Sequence, residues 1–374
     1  MSSLLIGVVL MIYNASLSLG YLPAGRLSDR VGRRPLILAG SSFLALGVLW
    51  LSLSTQAETT ILAVVVGGIG LALLAPASNA LISEIVSGQG AGSVFAIYQI
   101  TNLVASVVGS FAAGALAESF GFQKMFLLSA LIIGAAAIVG YVKIPETLGR
   151  KTVAYASAVT KSVRSSLTGT AVMLRSNREL SLLTGALVIH STALSMINPF
   201  VPLFAEKAIR LDISQVGVIM SMLNAGQALA QIPAGQLTDR YGARRLLLTH
   251  FTLSSLCYVF YAFSWNLESG IATVFFCGIV GALDMPARRT IMIEYTTEEA
   301  GKATIIGSLD AITGIAGTVA PLIGGVIWQQ IGYAAPFHLS ALVNAFACAP
   351  LLAIMRSRGR RRSLPTWEQG TVTN

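Results

Sequence analysis

Residues 11–38 read MIYNASLSLGYLPAGRLSDRVGRRPLIL, and residues 221–248 read SMLNAGQALAQIPAGQLTDRYGARRLLL. At this constant offset of 210 residues, 13 of the 28 positions are identical, including proline, glycine, aspartate and arginine positions. The offset continues without a gap, so that residues 68–84 align with residues 278–294. Shared apolar composition would not match charged and proline positions so consistently. We conclude that the chain contains two parallel repeats.

The composition is that of a membrane protein. Hydrophobic residues make up 54% of the 374 positions and charged residues 11%, whereas soluble globular proteins carry about 25% charged residues. The apolar stretches are continuous rather than alternating, which predicts helices rather than the strands of a barrel. A helix needs about 20 apolar residues to cross the bilayer core. We therefore count eleven spans and predict an all-α membrane protein.

Lysine and arginine are concentrated in the loops on one side of these spans. Arginines cluster after the first span, at residues 240–245, at residues 150–178 and at residues 356–362. Cytoplasmic loops are enriched in positive charge, so we expect these loops and the C-terminus to face the cytoplasm. We predict a multi-pass protein of the cytoplasmic (inner) plasma membrane.

The repeat and the spans divide the chain into four regions. They are an N-terminal bundle at 1–142, a central cytoplasmic loop at 143–179, a C-terminal bundle at 180–355 and a basic cytoplasmic tail at 356–374. The span at residues 180–205 has no counterpart, because the offset maps it to positions before Met1. We therefore expect eleven helices of twelve, through either a misassigned start or a truncated gene.

The two repeated loops carry a recognisable motif. Residues 25–34 read GRLSDRVGRR and residues 235–244 read GQLTDRYGAR. Both resemble the loop signature G-x-L-x-D-R-x-G-R-R/K of the major facilitator superfamily. The resemblance covers essentially the whole chain and implies two pseudo-symmetric six-helix bundles, a central cytoplasmic loop and transport by alternating access. On this resemblance the chain looks like a drug or metabolite efflux protein, with family helices 2–6 in its N-terminal bundle.

The resemblance also implies a gate built from both motifs and from one acid after each. The implied gating residues are Gly25, Asp29, Arg30, Gly32, Arg33, Arg34, Glu84, Gly235, Asp239, Arg240, Gly242, Arg244 and Glu294. Glycine lets helices approach closely, so we expect tight packing at Gly25 and Gly235. The family pattern implies that Asp29 and Asp239 each anchor the N-terminus of a neighbouring helix.

Two ion pairs are expected within this gate. The offset of 210 relates Arg30 and Glu84 to Arg240 and Glu294, so we predict one Arg–Glu pair in each half. The alternative is that the arginines are topology determinants alone. Positive loop charge does not require aspartate and glycine at fixed places, which favours gating.

Two aspartates interrupt the apolar runs of the second half. Asp284 lies ten residues before Glu294, and Asp310 lies eight residues after Lys302, so both are roughly 12–15 Å from a cytoplasmic helix end. An acid inside the membrane usually lines a water-filled path or has a partner. We expect at least one of them to carry a proton during transport. Alternatively, Asp284 neutralises Arg288, one helical turn away.

Several polar residues are candidates for a substrate cavity. They are His190, Asn198, Asn224, Gln227, Tyr98 and Asn102. His190 lies in the middle of the first span of the C-terminal half, a helix that lines the cavity in the resembling family. For Asn224 an alternative is open, since polar residues inside a membrane also join neighbouring helices.

These features lead to one preferred function and two alternatives. We expect a secondary active transporter that exports a small organic solute by alternating access, coupled to protons. The alternatives are a proton symporter or uniporter for a sugar or an organic acid, and a non-transporting or truncated membrane protein. The sequence shows no nucleophile with a base and an orienting group, so we do not expect an enzyme.

The expected partners are a small-molecule substrate and the lipid bilayer. The net charge of +9 is confined to loops and the tail without an aromatic platform for bases, so we expect no nucleic acid. The three cysteines lie in apolar runs without metal-binding spacing. We therefore predict no metal site and no cofactor other than a coupling H⁺, and we expect a monomer.

Overall fold

The described part of the chain is helical. The computed structural model describes residues 3–85, 91–146, 174–175, 177–295 and 302–363. Within these ranges the helices are α1 (Ser3–Val31), α2 (Arg33–Leu53), α3 (Ala57–Ile85), α4 (Ala91–Phe120), α5 (Phe122–Lys143), α6 (Arg178–Ile197), α7 (Phe200–Lys207), α8 (Ile213–Tyr241), α9 (Ala243–Ala262), α10 (Leu267–Gly281), α11 (Asp284–Glu294), α12 (Lys302–Gly317), α13 (Ala320–Gln330) and α14 (Ala335–Ser363). This confirms the predicted all-α class for the described residues.

Many of these helices are suited to a bilayer. Among the described residues, nine helical segments are long and apolar enough to cross a membrane. Helices α8 and α9 have sufficient length, at 29 and 20 residues, but they fall outside the nine because they carry more polar side chains. The chain is thus a multi-pass membrane protein, and nine of the eleven predicted spans are supported by length and composition.

The sequence repeat reappears as a repeated backbone turn. Gly32 and Gly242 are 210 positions apart, and their φ angles are 112° and 86°. Residues with a Cβ rarely adopt this backbone conformation, whereas glycine does so readily. Glycine therefore lets α1 turn directly into α2, and α8 turn directly into α9.

Helix packing follows the same offset. A Cβ on Gly68 of α3 would lie 3.3 Å from the carbonyl oxygen of Tyr13, and a Cβ on Gly278 of α10 would overlap the carbonyl oxygen of Leu223. Tyr13 and Leu223 are again 210 positions apart, so the same pair of helices packs through glycine in both halves. The close approach predicted at Gly235 is not seen among the described residues, where a Cβ on this glycine would meet nothing within 4 Å.

The two halves meet along α4 with α8 and along α1 with α13. In the first contact Gly114 faces Gly217, where an added Cβ would lie 2.6 Å from the opposite Cα. In the second, a Cβ on Gly7 would lie 2.7 Å from the carbonyl oxygen of Pro321. Both contacts lie toward the end of the molecule that is opposite the basic loops.

The outer surface of the helices is apolar. On α5, the side chains of Leu131, Ile132, Ile138 and Val142 are 61%, 61%, 69% and 69% exposed. Soluble proteins rarely expose apolar patches of this extent, whereas the hydrocarbon core of a bilayer accommodates them. This face of α5 is therefore a lipid-facing surface.

The observed helix ends can be compared with the predicted regions. Helix α5 ends at Lys143 and α6 begins at Arg178, close to the expected limits of the central loop. Residues 147–173, which form most of that loop, lie outside the described residues. The expected start of the tail at residue 356 falls inside α14, which continues to Ser363.

Candidate functional site

Three spans of the C-terminal half are broken into two helices each. The breaks lie between α6 and α7, between α10 and α11, and between α12 and α13. Pro199 precedes α7, and Pro321 occupies the first turn of α13. Proline has no N–H for a helical hydrogen bond, so it is suited to the start of a helix and not to its interior. Discontinuous membrane helices frequently form transporter binding sites.

A cavity of about 470 Å³ lies within the C-terminal half. Four of the predicted cavity and proton-coupling residues line it: His190, Asn198, Gln227 and Asp284. Most of the remaining wall is apolar or aromatic, with Leu194, Met220, Leu223, Tyr258, Tyr261 and Phe337 among its members. The cavity therefore combines a large apolar surface with a few polar groups.

His190 is held in this wall by a buried amide. It is 1% exposed, and its Nδ1 lies 2.7 Å from Oδ1 of Asn344 on α14. The Asn344 Nδ2 donates to the carbonyl oxygen of Phe251 at 2.8 Å and to the Ser255 hydroxyl at 3.0 Å. Because the Phe251 carbonyl can only accept, the amide nitrogen must face it, and the amide oxygen faces His190.

A second histidine completes a buried cluster with His190. His250 of α9 is 3% exposed, and its Nδ1 lies 2.8 Å from the carbonyl oxygen of Val280. Its Nε2 lies 3.3 Å from Nε2 of His190. One ligand atom from each histidine and one carboxylate oxygen of Asp284 all lie within 4.8 Å of one another.

Sequence reasoning missed His250. An ionisable residue inside an apolar span is itself a pointer to function, and the run at residues 246–267 contains this histidine. That signal could have identified His250. Its partners are on other helices, so the sequence shows no spacing that links them.

Each of the two intramembrane aspartates has an arginine partner on α11. Asp284 Oδ2 lies 2.5 Å from Nη2 of Arg288, and its Oδ1 lies 3.2 Å from Nε of the same arginine. This is the pairing that the sequence offered as the alternative role for Asp284. Asp310 Oδ2 lies 2.8 Å from Nη2 of Arg289. Asp310 is not among the residues that line the cavity.

Three predicted cavity residues lie elsewhere. Asn224 of α8 donates to Ser110 Oγ at 3.1 Å and to the Ser106 carbonyl oxygen at 3.4 Å, both on α4 of the other half. Asn102 is exposed and donates to the carbonyl oxygen of Tyr98 at 3.0 Å within α4. Asn224, Tyr98 and Asn102 are not among the residues that line this cavity, and their part in binding a substrate stays a prediction.

The acid of the second gating motif pairs with a different arginine from the predicted one. Glu294 accepts from Arg244 at 2.5 Å and 3.3 Å, whereas Arg240 lies 5.4 Å from the ring centroid of Tyr241. Arg244 lies in the first turn of α9, which packs against α11. Arg240 lies at the end of α8, so the predicted Arg240–Glu294 pair is wrong.

The first gating motif is described in part. The surroundings of Gly25 and the side chains of Asp29, Arg30 and Glu84 lie outside what the structure describes. The backbone N–H groups of Arg33 and Arg34 donate to the Glu146 carboxylate at 3.1 Å and 3.2 Å. The Arg33 guanidinium donates to Ser28 Oγ at 2.8 Å. Sequence reasoning missed Glu146, which satisfies the first amides of α2 as an N-terminal cap does.

In the second half, Asp239 is exposed. Its predicted role as an anchor for a neighbouring helix stays a prediction. The repeat-related loops thus share their glycine turn.

Comparison with known proteins places the chain in a family. The family model for the Major Facilitator Superfamily matches residues 1–207 and 183–373. The chain is 26% identical over 333 residues to the multi-drug resistance efflux pump PmrA of Streptococcus pneumoniae, covering 87% of this chain and 79% of that protein. It is 24% identical over 327 residues to the multidrug resistance protein MdtG of Proteus mirabilis, covering 86% of this chain and 78% of that protein.

Solved structures show the same fold. A peptide transporter POT in complex with sulfate superposes with a TM-score of 0.74 at 14% identity, covering 96% of this chain and 87% of that chain. The human organic anion transporter TETRAN superposes with a TM-score of 0.65 at 15% identity, covering 93% and 83%. The family model spans both halves of the repeat. The chain therefore belongs to the Major Facilitator Superfamily of membrane transporters.

Proposed function

We propose that this protein exports small, largely apolar organic molecules across the cytoplasmic membrane. The observation that carries the proposal is the cavity of about 470 Å³ with its apolar and aromatic wall. Sites for drug-sized ligands typically enclose about 300–1,000 Å³ and present a few polar groups in an apolar lining. The relatives named as multidrug efflux proteins, which match 86–87% of the chain, support the same function.

The proposed orientation follows from the distribution of positive charge. If α8 and α9 are also counted as membrane spans, the total is the eleven spans predicted from the sequence. The positive-inside rule then assigns the basic loops and the C-terminus to the cytoplasm. The contacts between the halves at Gly114 with Gly217 and at Gly7 with Pro321 then lie on the outer side. The described arrangement is the outward-closed state of an alternating-access cycle.

The cavity wall favours an apolar substrate over a sugar. A sugar carries several hydroxyl groups, and each costs free energy when it is buried without a hydrogen-bond partner. The wall also contains His250, Ser254, Tyr258 and Tyr261 beside His190, Asn198, Gln227 and Asp284, but most of its surface is apolar. Transport of a planar, largely apolar molecule, including an aromatic cation such as ethidium, therefore fits this site better than transport of a sugar.

The proposed coupling ion is the proton, and the proposed carriers are Asp284 and Asp310. Each carboxylate faces an arginine of α11 at 2.5 Å and 2.8 Å, respectively. Protonation would remove the negative charge and release the arginine. For Asp310 this breaks the pair that joins α12 to Arg289 of α11, whereas for Asp284 it frees Arg288 within α11. A proton entering from outside could in this way favour one conformation over the other.

The test uses the purified chain in proteoliposomes with ethidium as the transported dye. An acidic lumen should drive dye accumulation by wild type, and collapse of the pH difference with an ionophore should abolish it. Asp310→Asn and the double change with Asp284→Asn should lose pH-driven accumulation while retaining dye exchange without a gradient. Glu268→Gln, an exposed acid at the start of α10, is the matched control and should behave as wild type.

Two results would contradict the proposal separately. Unchanged pH-driven accumulation by the double variant would remove the role of the two aspartates in coupling. Failure of the wild-type protein to move the dye in either assay would remove the proposed substrate class.

A further inference from the structure

We infer that His190, His250 and Asp284 form a binding site for a divalent transition-metal ion such as Zn²⁺. The site lies in the wall of the cavity in the C-terminal half, and all three side chains line that cavity. This goes beyond solute export, because it concerns an ion that the protein itself binds. It also replaces the sequence prediction that the chain has no metal site.

The first argument is the hydrogen bonding of the two rings. His190 Nδ1 faces the amide oxygen of Asn344 at 2.7 Å, and His250 Nδ1 faces the carbonyl oxygen of Val280 at 2.8 Å. Both oxygens can only accept, so both Nδ1 atoms carry the hydrogen. In the neutral rings both Nε2 atoms then hold lone pairs. These lone pairs belong to the two atoms that lie 3.3 Å apart.

Two facing lone pairs repel each other unless a cation lies between them. A metal-bound histidine characteristically donates its other ring N–H to a carbonyl or carboxylate oxygen, which fixes the tautomer. His190 and His250 both show this pattern. The Val280 carbonyl oxygen lies in the last turn of α10 and also accepts from the Leu283 N–H at 3.1 Å. A carbonyl oxygen has two lone pairs, so it can accept from the His250 ring as well.

The second argument is distance. Zinc binds histidine nitrogen at about 2.0–2.1 Å, and tetrahedral geometry then separates two ligand nitrogens by about 3.3–3.4 Å. The observed separation is 3.3 Å. Hydrogen bonds to ionised groups are shorter than neutral ones, so a proton shared between the rings should bring the two nitrogens closer together than the observed 3.3 Å. The distance therefore fits a metal ion better than a shared proton.

The third argument is the ligand set. Two histidines and a carboxylate suit Zn²⁺ and neighbouring divalent ions. The three ligand atoms lie within 4.8 Å of one another, so the Asp284 carboxylate must move closer to the two rings to complete the triad. Arg288 holds this carboxylate through both oxygens and orients it as an outer-shell partner. Three protein ligands leave a fourth position that water or a transported compound can occupy.

The experiment measures Zn²⁺ binding by the full-length purified protein after removal of any polyhistidine tag. Equilibrium dialysis followed by elemental analysis should give one saturable Zn²⁺ per chain. The chain contains three histidines, and His338 lies outside the cluster, beside Phe263. His338→Ala is therefore the matched control and should bind as wild type. His190→Ala and His250→Ala should each weaken binding more than about tenfold.

Loss of binding through misfolding is separated by a milder variant and by spectroscopy. Asp284→Asn keeps both histidines and the volume of the side chain, and it should weaken Zn²⁺ binding about tenfold or more. Co²⁺ bound to wild type and to His338→Ala should show the intense visible bands of four- or five-coordinate cobalt. The inference is overturned if wild type shows no saturable site, or if the double variant His190→Ala/His250→Ala binds equally well.

Because binding is measured without transport, this result is independent of the export proposal. A protein that binds Zn²⁺ but does not move ethidium would support the metal site and contradict the export proposal. A protein that exports the dye and binds no Zn²⁺ would support the export proposal and contradict the metal site.

Discussion

Gly114 of α4 and Gly217 of α8 face each other across the two halves of the protein. A Cβ built on Gly114 would lie 2.6 Å from the Gly217 Cα, and one built on Gly217 would lie 2.7 Å from the Gly114 Cα. Separations this short require both residues to lack a side chain. The neighbouring hydrogen bond from Ser221 Oγ to the Val107 carbonyl oxygen, at 2.9 Å, reinforces the same contact.

A methyl group at Gly114 should prevent this closure. We expect Gly114→Ala to lower pH-driven ethidium transport about fivefold or more, since destabilising one state by about 1 kcal/mol changes its population by that factor. Gly109→Ala, on the same helix, is the control, because a Cβ at Gly109 would meet nothing within 4 Å. Equal transport by both variants would show that closure here is not required.

The ion pair between Arg244 and Glu294 should be energetically coupled. The Arg244 and Glu294 side chains are 17% and 38% exposed. A double-mutant cycle on thermal unfolding should therefore give a coupling free energy of about 0.2–1 kcal/mol between them. The same cycle with Arg240 in place of Arg244 should give a value near zero, since Arg240 lies over Tyr241 instead. Equal coupling energies for the two arginines would contradict the observed pairing.

Glu146 should stabilise the start of α2. Replacing it with alanine removes the acceptor for two backbone N–H groups, those of Arg33 and Arg34, and should cost about 0.5–2 kcal/mol of stability. Glu58, in the first turn of α3, acts through the helix dipole, so its replacement with alanine should cost less, about 0.3–1 kcal/mol. Thermal unfolding in detergent measures both, and the reverse order would exclude the capping role.

Asn344 should be important for the stability of the C-terminal half. Asn344→Leu leaves the His190 Nδ1–H and the Phe251 carbonyl without their partner, and should cost about 1–3 kcal/mol. Ser340, on the same helix, is fully buried, and its hydroxyl has no hydrogen-bond partner among the described residues. Ser340→Ala should therefore be neutral or stabilising in the same unfolding measurement. A larger loss of stability from Ser340→Ala than from Asn344→Leu would refute this account.

Properties that depend on local pattern could be predicted from the sequence. Continuous apolar runs identify membrane helices whatever their neighbours are, because each span must satisfy its own backbone hydrogen bonds in lipid. The offset of 210 positions correctly related Gly32 to Gly242. The four-residue spacing of Asp284 and Arg288 places them on one helix face, and the structure shows that pair at 2.5 Å.

Contacts between helices were predicted less well. Arg240 and Arg244 both belong to the second loop motif, but the turn at Gly242 assigns them to different helices, and only α9 brings its arginine to Glu294. For Asn224 the sequence left two roles open, lining a cavity and joining neighbouring helices. The rotation of α8 directs this side chain to Ser110 of the other half, a contact of the second kind.

By itself the sequence determined the helical class, the membrane setting, the repeat and the family motif. The first three follow from composition, periodicity and a constant offset along one chain, and the motif follows from the resemblance of its two loops to a known family signature. The tertiary structure decided the grouping of His190 with His250 and with Asn344, which are 60 and 154 positions away in sequence. The physical reason is that such contacts depend on how separate helices are rotated and broken, and side-chain packing between helices sets both.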